Sequence, residues 1–444
     1  MRSKLCLSVA ILATSGCDAK PSPGPAASAT TTASAKASSS TAPSSASPPP
    51  VVKNEGAAYL ATQIGVTVVN DGKISEVAGI GDEVSELVVA TDGLVYARAG
   101  ELHAIRGTSA DKTPVIAFNF TPGLDGKVWF PDGNDIKFLE GTTTQKIAFP
   151  DESPYHVGIT SKGELFAATD STLYERSGET WKKLDLESVL PKPRRFLGYA
   201  SHPASPVLYA IAERGIARRD AKGTWSKVEL GFNMVQEVGP LSPDGALPLS
   251  TERGVVVLTG EGVSAPLPHE TLGGSPGDVD AVAVDTRGRR WIGTQNGLVV
   301  ASADNEILQR YAPGVLPSHV EAIVVIGGGP TLPPKLPAPV TVGIKGKLIV
   351  TDAPAANTPI QLCMMPSVVA MSKDDTPCGD SKVHFATKTD GDGAFAVSKM
   401  PRQRYLLAFK RGEEWRSLMS WGSKRCCADL QQDETRDMGE ILVR

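Results

Sequence analysis

The chain has 444 residues, of which 41% are hydrophobic and 21% charged, with a net charge of −4 at pH 7. That length predicts two folded domains, and the interspersed charges lack the basic block that tracks phosphates, which argues against nucleic-acid binding. Forty-four glycines and 34 prolines favour a turn-rich, all-β fold over helices.

The chain opens MRSKLCLSVAILATSGCDAK. Arg2 and Lys4 form a cationic start, and Leu5 to Ala13 an apolar stretch too short to span a bilayer. This is the pattern of a secretory signal peptide. No later stretch approaches the roughly 18 apolar residues of a membrane helix, so none is predicted. The small residues before Cys17 resemble a bacterial lipobox, with Thr14 standing where that pattern prefers Leu. The resemblance implies lipidation at Cys17 and removal of residues 1–16. Ordinary cleavage after Ala13-Thr14-Ser15 is the competing reading. Residues 17–53 are almost entirely Ala, Ser, Thr and Pro, with no aromatic residue. They cannot bury enough apolar area to offset their ordering entropy, which predicts a disordered tether spanning about 35 Å. The expectation is an exported protein, anchored by lipid on the periplasmic face or cell surface of a bacterium.

From residue 54 to 326 the sequence repeats. Segments of one design begin at Gly56, Asp92, Asp125, Lys162, Pro206, Asp244 and Arg287. The period of about 40 residues reads as a propeller or array. Each carries a turn with Gly, a strand of large apolar residues, a second turn, a second strand and a polar third segment. Apolar strands also sit between copies at Val84–Thr91, Tyr155–Ser161, Asp278–Asp285 and His319–Ile326. Four strands per repeat make one blade. The first copy lacks a preceding inner strand and the last ends on a surplus one. His319–Ile326 should therefore complete the first blade and hide the open edges. The copy at GRRWIGTQNGLVVASADNEILQRY resembles the two-component-regulator propeller repeat, and DGKVWFPDGNDIKF is similar to the repeat of streptogramin-lyase-type propellers. The fold read here is all-β, a seven-bladed β-propeller followed by a small β-sandwich.

Residues 327–339, GGGPTLPPKLPAP, form a Pro-rich linker. Residues 340–444 then show strands with a different layout. Gly346, Leu348 and Asp352, then Thr389, Asp390, Gly393 and Phe395, then Pro401, Tyr405 and Leu407, then Gly439 and Ile441 mark the pattern. It resembles the carboxypeptidase regulatory-like, transthyretin-like sandwich, with Leu for Val in the first mark. The resemblance implies a non-catalytic accessory module. The Asp390–Gly393 stretch lacks the later ligands of a calcium loop and reads as a hairpin turn. Four cysteines, Cys363, Cys378, Cys426 and Cys427, cluster here and predict two disulfides; zinc is the competitor. Adjacent cysteines bridge only through a strained ring. The expectation is that Cys426 and Cys427 bond separately to Cys363 and Cys378.

Chemistry is sparse. No histidine pair has metal-ligand spacing, and no nucleophile elbow, phosphate loop or dinucleotide fingerprint occurs. No catalytic residue, metal or cofactor is predicted. Arg194, Arg195, Arg214, Arg218 and Arg219 could form a basic rim for an anionic partner, or merely a solvated face. Trp129, Trp181, Trp225 and Trp291 read as packing between blades. The function expected is a lipid-anchored binding or scaffold protein whose propeller face engages a protein, peptide or glycan. The alternative is a propeller enzyme of streptogramin-lyase or hydrolase type, for which His269 or His319 would be the histidine.

Overall fold

A computed structural model describes residues 56–443 except 82, 91–92, 114, 117–118, 124–126, 141–142, 152, 191–194, 202–205, 274–277, 318, 365–377, 379–383 and 419–425. The Cys17 site, the signal peptide and the tether lie outside the described residues. So does Arg194.

Seven four-stranded antiparallel sheets follow one another, and their inner strands touch in sequence until the last meets the first. The result is a closed ring of blades. Blade 1 takes its inner strand from the end of the repeat region. Val320–Val325 pairs with Ala58–Thr62, which continues through Gly65–Asn70 to Lys73–Glu76. Closure is as the register predicted, and the reason is burial. Val320, Ile323 and Val324 are 0–2% exposed, packed against blades 7 and 2. Inner strands of blades 3, 5 and 6, at Thr121–Pro122, Phe196–Ser201 and Val235–Val238, complete the pattern. Among the described residues the one α-helix is the single turn His269–Leu272.

The motif of blade 7 shows why the repeat has its residues. Trp291 is fully buried, and its Nε1 donates to Asp285 Oδ2 at 3.2 Å. Gly293 admits the blade 1 inner strand, because a Cβ there would stand 2.7 Å from the Val320 carbonyl oxygen. Thr294 Oγ1 donates to the Gly297 carbonyl at 3.1 Å, and Gly297 has φ 109°. That conformation is open to glycine and strained for other residues. The same Thr-x-x-Gly bond closes blade 1 (Thr62 to Gly65, 3.0 Å) and blade 6 (Thr251 to Gly254, 2.8 Å).

The linker lies along the propeller. Arg289 Nη2 donates to the Gly328 and Pro330 carbonyls at 2.7 and 3.0 Å, and Leu332 and Leu336 pack on the core shared by blades 7 and 1. Beyond it two sheets make a sandwich. Thr341–Val350 lies between Thr435–Val443, which pairs in parallel, and Ala394–Pro401 with Ala353–Pro354. The facing sheet runs His384–Lys388, Pro359–Met364, Tyr405–Arg411, Glu414–Leu418. Val342, Ile344, Leu348, Leu362, Phe395 and Phe409 fill the space between. Asp390 Oδ1 accepts from the Asp392 and Ala394 amides, so its carboxylate shapes the hairpin turn.

The disulfide pairing corrects the expectation. Cys363 is bridged to Cys378, and Cys426 lies against Cys427. Cys363 and Cys378 pack with Leu406, with Cα atoms 5.4 Å apart. Cys426 and Cys427 instead sink into the sandwich core beside Leu430. There the Tyr405 amide donates to the Cys426 carbonyl and the Cys427 amide to the Gln403 carbonyl, both at 2.9 Å. The two pairs therefore occupy separate clusters, which cross-pairing would have to merge. Cys363→Ser with Cys378→Ser should cost about 3 kcal/mol, the entropy released from a loop of this length, with a sequence separation of 15. Non-reducing peptide mapping checks the pairing first. A peptide joining Cys363 to Cys426 or Cys427 would contradict it.

Candidate binding face of the propeller

Within each blade the chain runs outward, alternately up and down. The turns between second and third strands and the crossings from blade to blade therefore share one end of the ring, here called the upper face. Each inner strand starts there. Glu86, His156, Gln236, Asp280 and Glu321 occupy those starts in blades 2, 4, 6, 7 and 1 and encircle the upper mouth of the channel. In four blades the register skips one inner residue, at Leu197, Gln236, Asp280 and Glu321. A bulge of this kind re-aims the extra side chain away from the regular ladder.

Electrostatics differ around the mouth. Glu86 accepts from the Phe120 amide at 3.3 Å and faces Arg98 Nε at 3.4 Å. Burial nevertheless pushes its pKa up to about 7. For Glu321, burial opposes ionisation, but His319, Gln63 and Arg404 outweigh it and hold the carboxyl below its usual value. Burial also lowers the His156 imidazole. Because the folded pKa of Glu86 lies above its ordinary 4.5, its contribution to stability is full below that value and is lost as pH rises through about 7. Glu86→Gln removes this term. The melting temperature of wild type minus that of the variant should fall between pH 5 and 8; a difference flat across that range would contradict it.

An open sector lies at blades 3 and 4. The crossings into these blades and the Pro131–Gly133 turn surround a cavity of 600 Å³, lined by Val115, Ile116, Phe130, Pro131, Pro154 and Tyr155 among others. Ile116 is 63% and Tyr155 49% exposed. Polar groups on its wall are already engaged. Asn119 Nδ2 donates to the Tyr155 carbonyl at 2.8 Å, Ser153 Oγ to Asn134 Oδ1 at 3.0 Å, and Lys137 pairs with Asp132. The wall thus mixes apolar side chains with polar ones, most of them already partnered.

The four described arginines of the suggested rim do not lie together. Arg195 is on the upper face, where its Nη1 meets Glu213 Oε1 at 2.8 Å, and Arg214 is exposed on the next turn. Arg218 is half-buried on the strand Gly215–Arg219. Arg219 is 7% exposed near the opposite end of the ring and joins blade 5 to blade 4 through Glu164 and Glu175. Alternation along one strand sends neighbouring side chains to opposite sides, a fact that a run of arginines conceals.

His269 and His319 are both buried. His269 Nε2 lies 2.7 Å from the Thr251 carbonyl, holding the crossing between blades 6 and 7 against the blade 6 turn. His319 Nε2 lies 3.3 Å from Glu321 Oε1. The tryptophans pack as expected. Trp181 Nε1 reaches from blade 4 to the Ala148 carbonyl at the end of blade 3, at 2.9 Å. Trp225 stands edge-on to Phe166 across blades 5 and 4, with ring centres 6.3 Å apart. The cavity was missed in the sequence because three separate loops build it; an isolated Ile116 after a turn carries no signal of its own.

No protein-family model and no curated protein matches the chain. Solved structures do resemble it. Virginiamycin B lyase from Staphylococcus aureus is 14% identical over 51% of this chain and 83% of its own, with a TM-score of 0.41. The extracellular domain of a putative one-component system from Bacteroides thetaiotaomicron is 11% identical over 81% and 59%, with a TM-score of 0.44. The WD40 repeats of RRP9 are 9% identical over 55% and 84%, with a TM-score of 0.43. No functional assignment follows from likenesses this distant. Among the described residues no helix is long and apolar enough to cross a membrane.

Proposed function

We propose that the protein is exported, anchored through a lipid on Cys17, and works without catalysis as a binding protein. The upper face at blades 3 and 4 would engage a protein or peptide partner. The observation that carries this reading is the exposed pair Ile116 and Tyr155 beside the cavity. Large apolar side chains exposed together around a concavity mark an interaction site. The C-terminal sandwich would serve as a regulatory-like accessory module, in keeping with the sequence marks from Gly346 to Ile441.

Affinity capture from intact cells tests the proposal. Wild type should retain a protein partner that Ile116→Asp with Tyr155→Ala loses at least tenfold, while the melting temperature stays the same. Equal capture by both would refute the assignment of the face. Cys17→Ser should abolish palmitate labelling; labelling that persists would refute the anchor.

A further inference from the structure

We infer that the C-terminal sandwich is a latched cap over the blade 1 side of the upper face, which swings open as a unit when its arginine contacts are broken. The latch is the turn Pro401–Arg404. Arg402 Nη2 reaches Glu76 Oε1 at 3.7 Å, and Arg404 Nη2 reaches Glu83 Oε1 at 3.3 Å. Both glutamates belong to the propeller, at the end of the blade 1 outer strand and in the crossing to blade 2. Arg404 also lies near enough to Glu321 to favour its ionised form. The turn is presented stiffly from inside the sandwich. Tyr405 Oη donates to the Pro401 carbonyl at 2.7 Å, and the Cys427 amide to the Gln403 carbonyl at 2.9 Å.

The contact has the make-up of one that opens. Its ion pairs are half wet: the arginine side chains are 11% and 10% exposed, but Glu76 and Glu83 are 65% and 56% exposed. Pairs of that kind are weak and screened by salt. Polar interfaces between domains permit relative motion, whereas large apolar ones do not. The linker sets the pivot. It is fixed to the propeller as far as Leu336, through the Gly72 amide to the Thr331 carbonyl at 3.1 Å, Gln309 Nε2 to the Pro333 carbonyl at 2.9 Å, and the packing of Leu332 and Leu336. After it, one backbone bond remains, from the Val340 amide to the Gly314 carbonyl at 2.9 Å. Val340, held to the propeller through its amide and to the sandwich through its carbonyl, which accepts from the Arg402 amide at 2.9 Å, is therefore the pivot. A few residues between two rigid bodies suffice to absorb such a rotation. Opening frees Glu83 from Arg404 and takes the Arg404 charge away from Glu321, while leaving the blade 3 and 4 cavity unchanged.

Hydrogen exchange and small-angle scattering on the full chain test this. Arg402→Gln with Arg404→Gln should speed amide exchange in the Thr62–Gly65 turn and at Glu83 about tenfold, in line with the loss of two weak pairs, and should enlarge the radius of gyration. Glu76→Gln with Glu83→Gln, which leaves the sandwich untouched, should do the same, and raised salt should open the wild type. Unchanged exchange and scattering in both variants would overturn the cap. So would opening confined to the arginine variant and accompanied by a lower melting temperature of the sandwich, since that would report its unfolding.

Discussion

Deleting Val320–Val325 should abolish the cooperative melt of the propeller. This strand is the inner strand of blade 1, although it lies some 260 residues along the chain from its partner Ala58–Thr62. Its removal exposes the backbone edge of Ala58–Thr62 and opens the ring between blades 7 and 2. Val320, Ile323, Val324 and Val325 are all buried. Four such side chains withdraw roughly 6–12 kcal/mol of burial, similar to the whole net stability of a domain at about 5–15 kcal/mol. A milder version is Ile323→Ala, which should cost about 2–5 kcal/mol. Calorimetry checks both. A single transition at the wild-type midpoint after the deletion would mean that the ring is not closed by this strand.

That closure was legible because an unpaired strand at each end of a repeat array poses its own question. The turn glycines Gly65, Gly254 and Gly297 were legible for a similar reason, since each holds a positive φ that glycine takes without strain; the Thr62, Thr251 and Thr294 hydroxyls that close the same turns emerged only from the structure. Three inner strands were not legible. Thr121–Pro122 is two residues long, Phe196–Ser201 is broken by the bulge at Leu197, and Val235–Val238 carries the polar Gln236 and Glu237. A polar residue in a buried strand hides the period of two that marks it. The cysteine pairing depended on tertiary placement, since Cys363 and Cys378 meet beside Leu406 while Cys426 and Cys427 enter a different core cluster. The candidate face was the least legible part. It joins side chains from three loops whose sequences share nothing, and only the curvature of the ring brings Ile116 and Tyr155 to one cavity.

Arg219→Ala should destabilise the propeller by roughly 2–4 kcal/mol, near the lower part of the range for breaking a buried ion pair. Arg219 Nη1 bonds Glu164 Oε2 at 3.0 Å, Nη2 bonds Glu164 Oε1 and Glu175 Oε1 at 3.1 Å each, and the guanidinium stands 5.2 Å from the Phe166 ring centre. Blade 5 is thereby stapled to blade 4. The arginine side chain is 8% exposed, but the two carboxylates keep 31% and 26%, so water offsets part of the loss. Arg219→Lys should recover little, because an ammonium cannot span both carboxylates or stack on Phe166. The pH dependence identifies the cause. Burial tends to raise the Glu164 pKa, but Arg219 and Thr160 outweigh it and hold it below its ordinary 4.5. A carboxyl with a lowered folded pKa contributes stability above its unfolded value and loses it as pH falls through the folded one. The gap in melting temperature between wild type and Arg219→Ala should therefore be widest near pH 7 and shrink as the solution is acidified below the usual carboxylate range. A gap of the same size at pH 7 and in acid would mean that Arg219 acts through packing on Phe166 and not through its charge.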